Sequence, residues 1–315
     1  MINSKIALIF PGQGSQIVGM GKELADKYPV ARQTFQEADD ALGYKLSQLC
    51  FEGPEDQLRL TEITQPAILT ASIAALRVLE TRIPKPCYVA GHSLGEYSAH
   101  VASGTFSFAD AVRTVRNRGK YMQEAVPVGV GTMAAILGME LEKVTGVCRD
   151  AAQGEVCSPA NINSPEQVVI SGNTAAVERA AKLADERGAK RAKLLPVSAP
   201  FHCSLMKPAQ DRLEEDLKKL TMHKPVYPVA CNVDADFVND DLRTLDTLVR
   251  QVTGSVRWDQ CMRLLIAQGV ETFIEVGPGK VLCGLMRQID RSKSCLSVGD
   301  EASMGKTVES LSKPA

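Results

Sequence analysis

Five consecutive residues, Gly91-His92-Ser93-Leu94-Gly95, carry the strongest chemical signal in the chain. They follow the apolar run Tyr88-Val89-Ala90 and precede a helix-capable stretch, Glu96–Ala102. A G-x-S-x-G between a strand and a helix is a nucleophile elbow. Its glycines permit a turn too tight for a Cβ, and its serine hydroxyl stands above the sheet. At that helix N-terminus the backbone N–H of Leu94 and the helix dipole can stabilise a developing oxyanion. The chemistry implied is acyl transfer or hydrolysis through a serine ester; the plain alternative is a structural turn that holds a serine.

A serine needs a base near neutral pH. The four histidines are His92, His100, His202 and His223. His92 adjoins Ser93, and the elbow splays the two side chains apart. His100 lies seven residues on, along the following helix, and His223 sits in a polar, Lys-rich connection. His202, in Ser198-Ala199-Pro200-Phe201-His202-Cys203-Ser204, stands where a strand ends and a helix begins. That is where α/β sheets place their sites, so His202 is the candidate base.

Arg118 supplies a constraint of another kind. In the helix expected over Phe108–Glu124, residues Ala111, Val115 and Met122 share one face, and Arg118 falls in line with them. Arg113, Arg116 and Lys120 share a different, solvated face. A guanidinium along an apolar stripe must be paired, either with an internal Asp or Glu or with a substrate carboxylate held by its bidentate fork. Beside a serine acylation site, the second option implies an acyl group that carries a carboxylate.

The elements that must position these residues alternate short β-branched runs with longer helical patterns, which favours an α/β fold with a largely parallel sheet. Strands are expected at Lys5–Phe10, Cys87–Gly91, Tyr227–Val233, Thr272–Val276 and Cys295–Val298. Helices are expected at Val18–Lys27, Gln33–Ala41, Pro66–Glu80, Phe108–Glu124, Met206–Leu220 and Arg257–Gln268, with a peripheral helix after Gly299. Between Gly129 and Ser198 the order changes. It reads strand Thr132–Leu137, helix Leu141–Ala152, strands Val156–Asn161 and Gln167–Ser171, helix Thr174–Arg187, and strand Ala192–Val197. This βαββαβ order is ferredoxin-like; the competing reading is one continuous doubly wound sheet. The fold class is therefore α/β, a hydrolase-like domain with a mostly parallel sheet (residues 1–128 and 199–315) plus an inserted ferredoxin-like subdomain (129–198).

Composition bounds what remains. The chain has 315 residues, 36 Lys+Arg against 37 Asp+Glu, and 44% hydrophobic residues. That is enough for a large core without metal or disulfide, and the balanced charge argues against a general nucleic-acid binder. Nine cysteines, an odd number with no CxxC pair, suggest neither a disulfide framework nor a zinc site. A reducing, cytoplasmic setting and thiols used as small core residues are the simple reading. No stretch approaches the length of a membrane span.

Taken together, these residues resemble the malonyl-CoA:acyl carrier protein transacylases of type II fatty-acid synthesis. The resemblance runs from Phe10-Pro11-Gly12-Gln13-Gly14-Ser15-Gln16 through Gly91–Tyr97, Arg118-Gly119, Asn161-Ile162-Asn163-Ser164-Pro165 and Pro200-Phe201-His202 to Glu275–Lys280. It implies Ser93 as the acylated nucleophile, His202 as its base and Arg118 as the clamp for the malonyl carboxylate. It also implies Gln13 N–H as an oxyanion donor beside Leu94 N–H, and Gln251, ahead of Val256-Arg257-Trp258, as the residue whose main-chain carbonyl orients the histidine. Met122, Asn161, Asn163 and Phe201 complete the expected substrate contacts, with Phe201 leaving little room for an α-methyl group. His100 and Ser255 depart from the family pattern. The expected partners are malonyl-CoA and an acidic acyl carrier protein, met by basic residues such as Lys190, Arg191 and Lys193. No cofactor, metal, nucleic acid or membrane is expected, and the chain is read as a monomer. A serine hydrolase or thioesterase with the same elbow is the alternative, although the chain lacks the Asp-Gly dipeptide of patatin-like enzymes. A non-catalytic interaction module is the third reading.

Overall fold

The computed structural model describes residues 5–312. Ten strands form two sheets: β1 (Lys5–Phe10), β2 (Tyr88–Gly91), β3 (Gly131–Leu137), β4 (Cys157–Ser164), β5 (Gln167–Asn173), β6 (Arg191–Leu194), β7 (Val229–Cys231), β8 (Asp236–Val238), β9 (Val270–Val276) and β10 (Ser294–Val298). The larger sheet has the order β10-β9-β1-β2-β7-β8 and is parallel except for the β7–β8 pair. Its inner strands are apolar on both faces, as Ile6 to Phe10 illustrates, because helices cover both sides.

Register places the chemistry. Phe10 lies opposite Gly91, and Ala90 lies opposite Ala230. The loop after β1, the elbow after β2 and the turn after β7 therefore emerge side by side at one carboxyl edge. The Thr61–Leu79 helix packs against the Phe108–Glu124 helix and is buried over almost its whole length.

The smaller sheet, β4-β5-β3-β6, is antiparallel throughout and carries the Leu141–Ala152 and Thr174–Glu186 helices on one face. Alternation along its strands separates two cores. Ala134, Ile136, Val168 and Ile170 face those helices, while Met133 and Val169 join the core of the larger part. The ferredoxin-like order expected from sequence is present, and the continuous doubly wound sheet is not.

Several expectations need correction. The run Tyr227–Val233 is strand only over Val229–Cys231; it then turns, with Ala235 at φ +53°, into the unexpected β8. Strand β6 ends at Leu194, just before Pro196, which has no N–H to continue the ladder. The helix expected at Val18 begins at Lys22, and the one expected at Pro66 begins five residues earlier, at Thr61. Helices Leu46–Glu52, Asp241–Gln251 and Val281–Ile289 were not anticipated. The peripheral helix spans Glu301–Ser312; the rest of that expected tail lies outside the described residues. Cys283 and Cys295 form a disulfide, Cα atoms 5.3 Å apart, contrary to the reading of unpaired thiols. A separation of 12 residues across a helix and the next strand leaves no sequence signature for such a pair. Cys50, Cys148, Cys203, Cys231 and Cys261 are buried, as expected of core thiols.

Candidate active site

The elbow is built as the glycines require. A Cβ on Gly91 would lie 1.9 Å from the Gly95 carbonyl, and one on Gly95 would lie 2.1 Å from the Phe10 carbonyl oxygen. Both obstacles are backbone, so neither can yield. Ser93 sits at φ +51°, a conformation that costs a non-glycine residue on the order of 1–3 kcal/mol. Asn232, just past β7, holds it there. Its Oδ1 accepts from Ser93 N–H at 2.7 Å, and its Nδ2 donates to the Gly91 carbonyl at 2.8 Å.

Ser93 Oγ lies 2.7 Å from His202 Nε2, and His202 Nδ1 lies 2.9 Å from the Gln251 carbonyl oxygen. A carbonyl only accepts, so Nδ1 carries the proton and Nε2 is left to accept from the serine. Burial, reinforced by the nearby Arg118 charge, lowers the His202 pKa to about 3, so the ring is neutral at neutral pH. His202 is at φ +59°, a second strained position in direct contact with the first.

Arg118 is buried as its sequence position demanded. It makes no ion pair with a carboxylate among the described residues. Nη1 donates to Gln65 Oε1 at 2.9 Å, while Nη2 donates to Gln251 Oε1 at 2.9 Å and to Ser93 Oγ at 3.1 Å. Its carbon lies 5.5 Å from the Tyr97 ring centroid, and Nε has no hydrogen-bond partner. The internal ion pair weighed as an alternative is thus absent, and spare donor capacity sits beside the serine. Met122, one turn further along, touches Gln65 through its sulfur at 3.9 Å.

The remaining expected residues lie around this cluster. No hydrogen bond within the protein occupies the main-chain N–H of Gln13 or Leu94 among the described residues. Gln13, Asn161 and Asn163 line a cleft of about 370 Å³ together with His92 and Gln167. His92 Nε2 lies 2.8 Å from Asn163 Oδ1, so its ring points toward the smaller sheet while Ser93 points to His202. Asn161 forms a parallel bridge with Val256, tying β4 to the chain that follows Gln251. Phe201 is buried next to His202. Ser255 donates to the Pro159 carbonyl at 2.7 Å, and His100 is a buried residue bonded to Thr105 Oγ1 at 3.1 Å. Lys190, Arg191 and Lys193 are exposed. Among the described residues no group of three or more His, Cys, Asp or Glu side chains converges as a metal site. Nor is any helix long and apolar enough to cross a membrane.

Sequence reasoning missed Asn232, Gln65 and the buried Glu96. Position after a strand end was the one available clue to Asn232; nothing marked Gln65.

Residues 7–310 match the acyl transferase domain family. The malonyl CoA-acyl carrier protein transacylase of Escherichia coli K12 is 49% identical over 307 residues, 97% of this chain and 99% of that protein. The chain belongs to the malonyl-CoA:acyl carrier protein transacylase family. The Bacillus subtilis transacylase is 48% identical over 309 residues, 98% of each chain. The solved Coxiella burnetii transacylase superposes with a TM-score of 0.96 at 44% identity, covering 98% of both chains. A malonyl-transacylase solved with its type II PKS acyl-carrier protein gives 0.95 at 46% identity, covering 98% of this chain and all of that one.

Proposed function

We propose that the protein moves a malonyl group from malonyl-CoA to the phosphopantetheine thiol of an acyl carrier protein, in two steps through a malonyl ester on Ser93. The observation that carries this reading is the buried Arg118 guanidinium bonded to the same hydroxyl that contacts His202. A cation there matches an acyl group ending in a carboxylate.

In the first step His202 Nε2 takes the Ser93 proton as Oγ attacks the thioester carbonyl. The Gln13 and Leu94 N–H groups, without a hydrogen-bond partner among the described residues, receive the oxyanion. Collapse expels the CoA sulfur, which takes the proton back from His202. The malonyl carboxylate is held by Arg118, whose Nε has no partner among the described residues. Neutralising Arg118 also relieves part of the pressure that lowers the His202 pKa, so the correct substrate makes its own base stronger. The carrier thiol then repeats the chemistry on the ester. Gln251 orients His202 through its main-chain oxygen, so no carboxylate is needed as the third member.

On this reading residues 129–198 act as a unit walling the cleft. The carrier, an acidic protein, docks near its mouth through exposed bases such as Lys190, Arg191 and Lys193. The setting is cytoplasmic, and the malonyl carrier serves fatty-acid synthesis. Mixing with malonyl-CoA and measuring intact mass tests the central step. The wild-type chain is expected to gain one malonyl group and Ser93→Ala none; an adduct on Ser93→Ala refutes the mechanism.

A further inference from the structure

Glu96 lies in the first turn of the Gly95–Ala102 helix, fully buried, with no ion pair among the described residues. Its Oε2 accepts from Asn232 N–H at 2.9 Å and from Gln251 Nε2 at 2.8 Å; its Oε1 meets no donor. The same Gln251 amide turns its oxygen to Arg118 Nη2 at 2.9 Å. An amide distinguishes its neighbours by polarity. With an acceptor at Glu96, the NH2 stays on that side and the oxygen must face the guanidinium. Gln251 is thus held between a carboxyl and a cation while its main chain supports His202.

We propose that Glu96 is a positioning residue that orients the Gln251 amide and acts as the protonatable counter-charge of Arg118, so that malonyl binding is coupled to proton uptake at Glu96. The proposal rests on Arg118 being the malonyl clamp. In the empty site an ionised Glu96 offsets Arg118 through the amide bridge. When a substrate carboxylate arrives, two negative groups compete for one guanidinium, and the unpartnered one accepts a proton.

The surroundings leave Glu96 as the group that titrates. Burial pushes its pKa up to about 7, against the lowering effects of Asn232, Gln251 and Arg118. Arg118 faces it from the Phe108–Glu124 helix and Asp234 from the turn after β7, where Asp234 is paired with Arg250. Tyr97 on its own helix and Cys231 on β7 are each pushed to about 12 by burial, and Cys261 on the Trp258–Ala267 helix is raised well above its usual value. Beyond Ser93, burial and the Arg118 charge take the His202 pKa down to about 3, and burial lowers that of His92 from its ordinary value. Of these groups, Glu96 is the one joined to Arg118 through the Gln251 amide, so the charge change felt there is assigned to it.

The test compares KM and kcat for malonyl-CoA and acetyl-CoA, with carrier protein as acceptor, in the wild type, Glu96→Gln and Arg118→Ala. Because both donors carry the same CoA, the ratio of their KM values isolates the carboxylate. In the wild type the malonyl KM is expected to rise relative to acetyl by up to about tenfold from about pH 6 to about pH 8.5, the change equivalent to one pKa unit of coupling. In Glu96→Gln that ratio is expected to be flat and to sit at its low-pH value, with kcat moving much less than KM. A flat ratio in the wild type, or the wild-type slope persisting in Glu96→Gln, overturns the proposal. Arg118→Ala separates the two readings: retained malonyl preference there defeats the clamp itself. Loss of preference there, with the slope intact in Glu96→Gln, defeats the Glu96 role alone. Should Glu96→Gln not fold, calorimetry of wild-type malonylation in two buffers of different ionisation enthalpy decides. Net proton uptake near pH 7 supports the coupling, and none refutes it.

Discussion

Replacing Asn232 by Ala removes one fully buried side chain that makes two hydrogen bonds to the elbow. The buried Gly91 carbonyl and the half-buried Ser93 N–H then lose their partners. An unsatisfied buried group costs about 1–3 kcal/mol and a half-buried one less, so the native state is expected to lose about 2–4 kcal/mol. That is a large share of a typical total of about 5–15 kcal/mol. Ser93, released from its support at φ +51°, is also expected to relax toward ordinary backbone geometry. A shift of about 1 Å in a nucleophile lowers its rate by about a hundredfold. Urea unfolding measures the first effect, and the rate of malonyl-adduct formation by rapid-quench mass spectrometry measures the second. Asn232→Asp is a sharper control, because it preserves an acceptor for Ser93 N–H but sets an oxygen against the Gly91 carbonyl and a second carboxyl beside Glu96. An Asn232→Ala protein with the wild-type urea midpoint and malonylation rate would refute the reasoning.

Three further outcomes are expected. Arg118→Ala should lower kcat/KM for malonyl-CoA by about a hundredfold or more, the worth of a bidentate charged pair, while sparing acetyl-CoA; parallel losses for both would count against the clamp. His100 has a folded pKa lowered from 6.5 to about 3, so its neutral form contributes stability that is lost as pH falls below about 6.5. His100→Leu is therefore expected to shrink the loss of unfolding free energy between pH 7 and pH 5 by about 2 kcal/mol in urea titrations. Gly95→Ala forces a Cβ against the Phe10 carbonyl and is expected to abolish soluble folded protein, which expression and circular dichroism would show.

Much of the site was legible because its members break local rules in visible ways. Arg118 stood out as a charge on an apolar stripe, and Gly91 and Gly95 as paired glycines around a serine after a strand. His202 was reached by position and by elimination among four histidines. Asn232 and Glu96 were silent for physical reasons. An asparagine after a strand is ordinary turn chemistry, and an acid in the first turn of a helix is ordinary dipole chemistry. Their roles arise from β7 lying beside β2, a long-range pairing that no local pattern encodes. The Asp241–Gln251 helix did carry a signal, the Asp240 cap on Arg243 N–H at 2.8 Å, but the Val281–Ile289 helix has Gly284 at its centre, which weakened its periodicity.

The parallel bridge between Asn161 and Val256 has a kinetic meaning. Ile162 N–H donates to the Val256 carbonyl and Val256 N–H to the Ala160 carbonyl, each at 2.8 Å. The two walls of the cleft are thereby one hydrogen-bonded frame, joined next to the residue that supports the base. Opening the walls like a hinge would break those bonds and disturb His202 in the same motion. The two walls are therefore expected to move as one body, so that little conformational entropy is surrendered when a substrate enters.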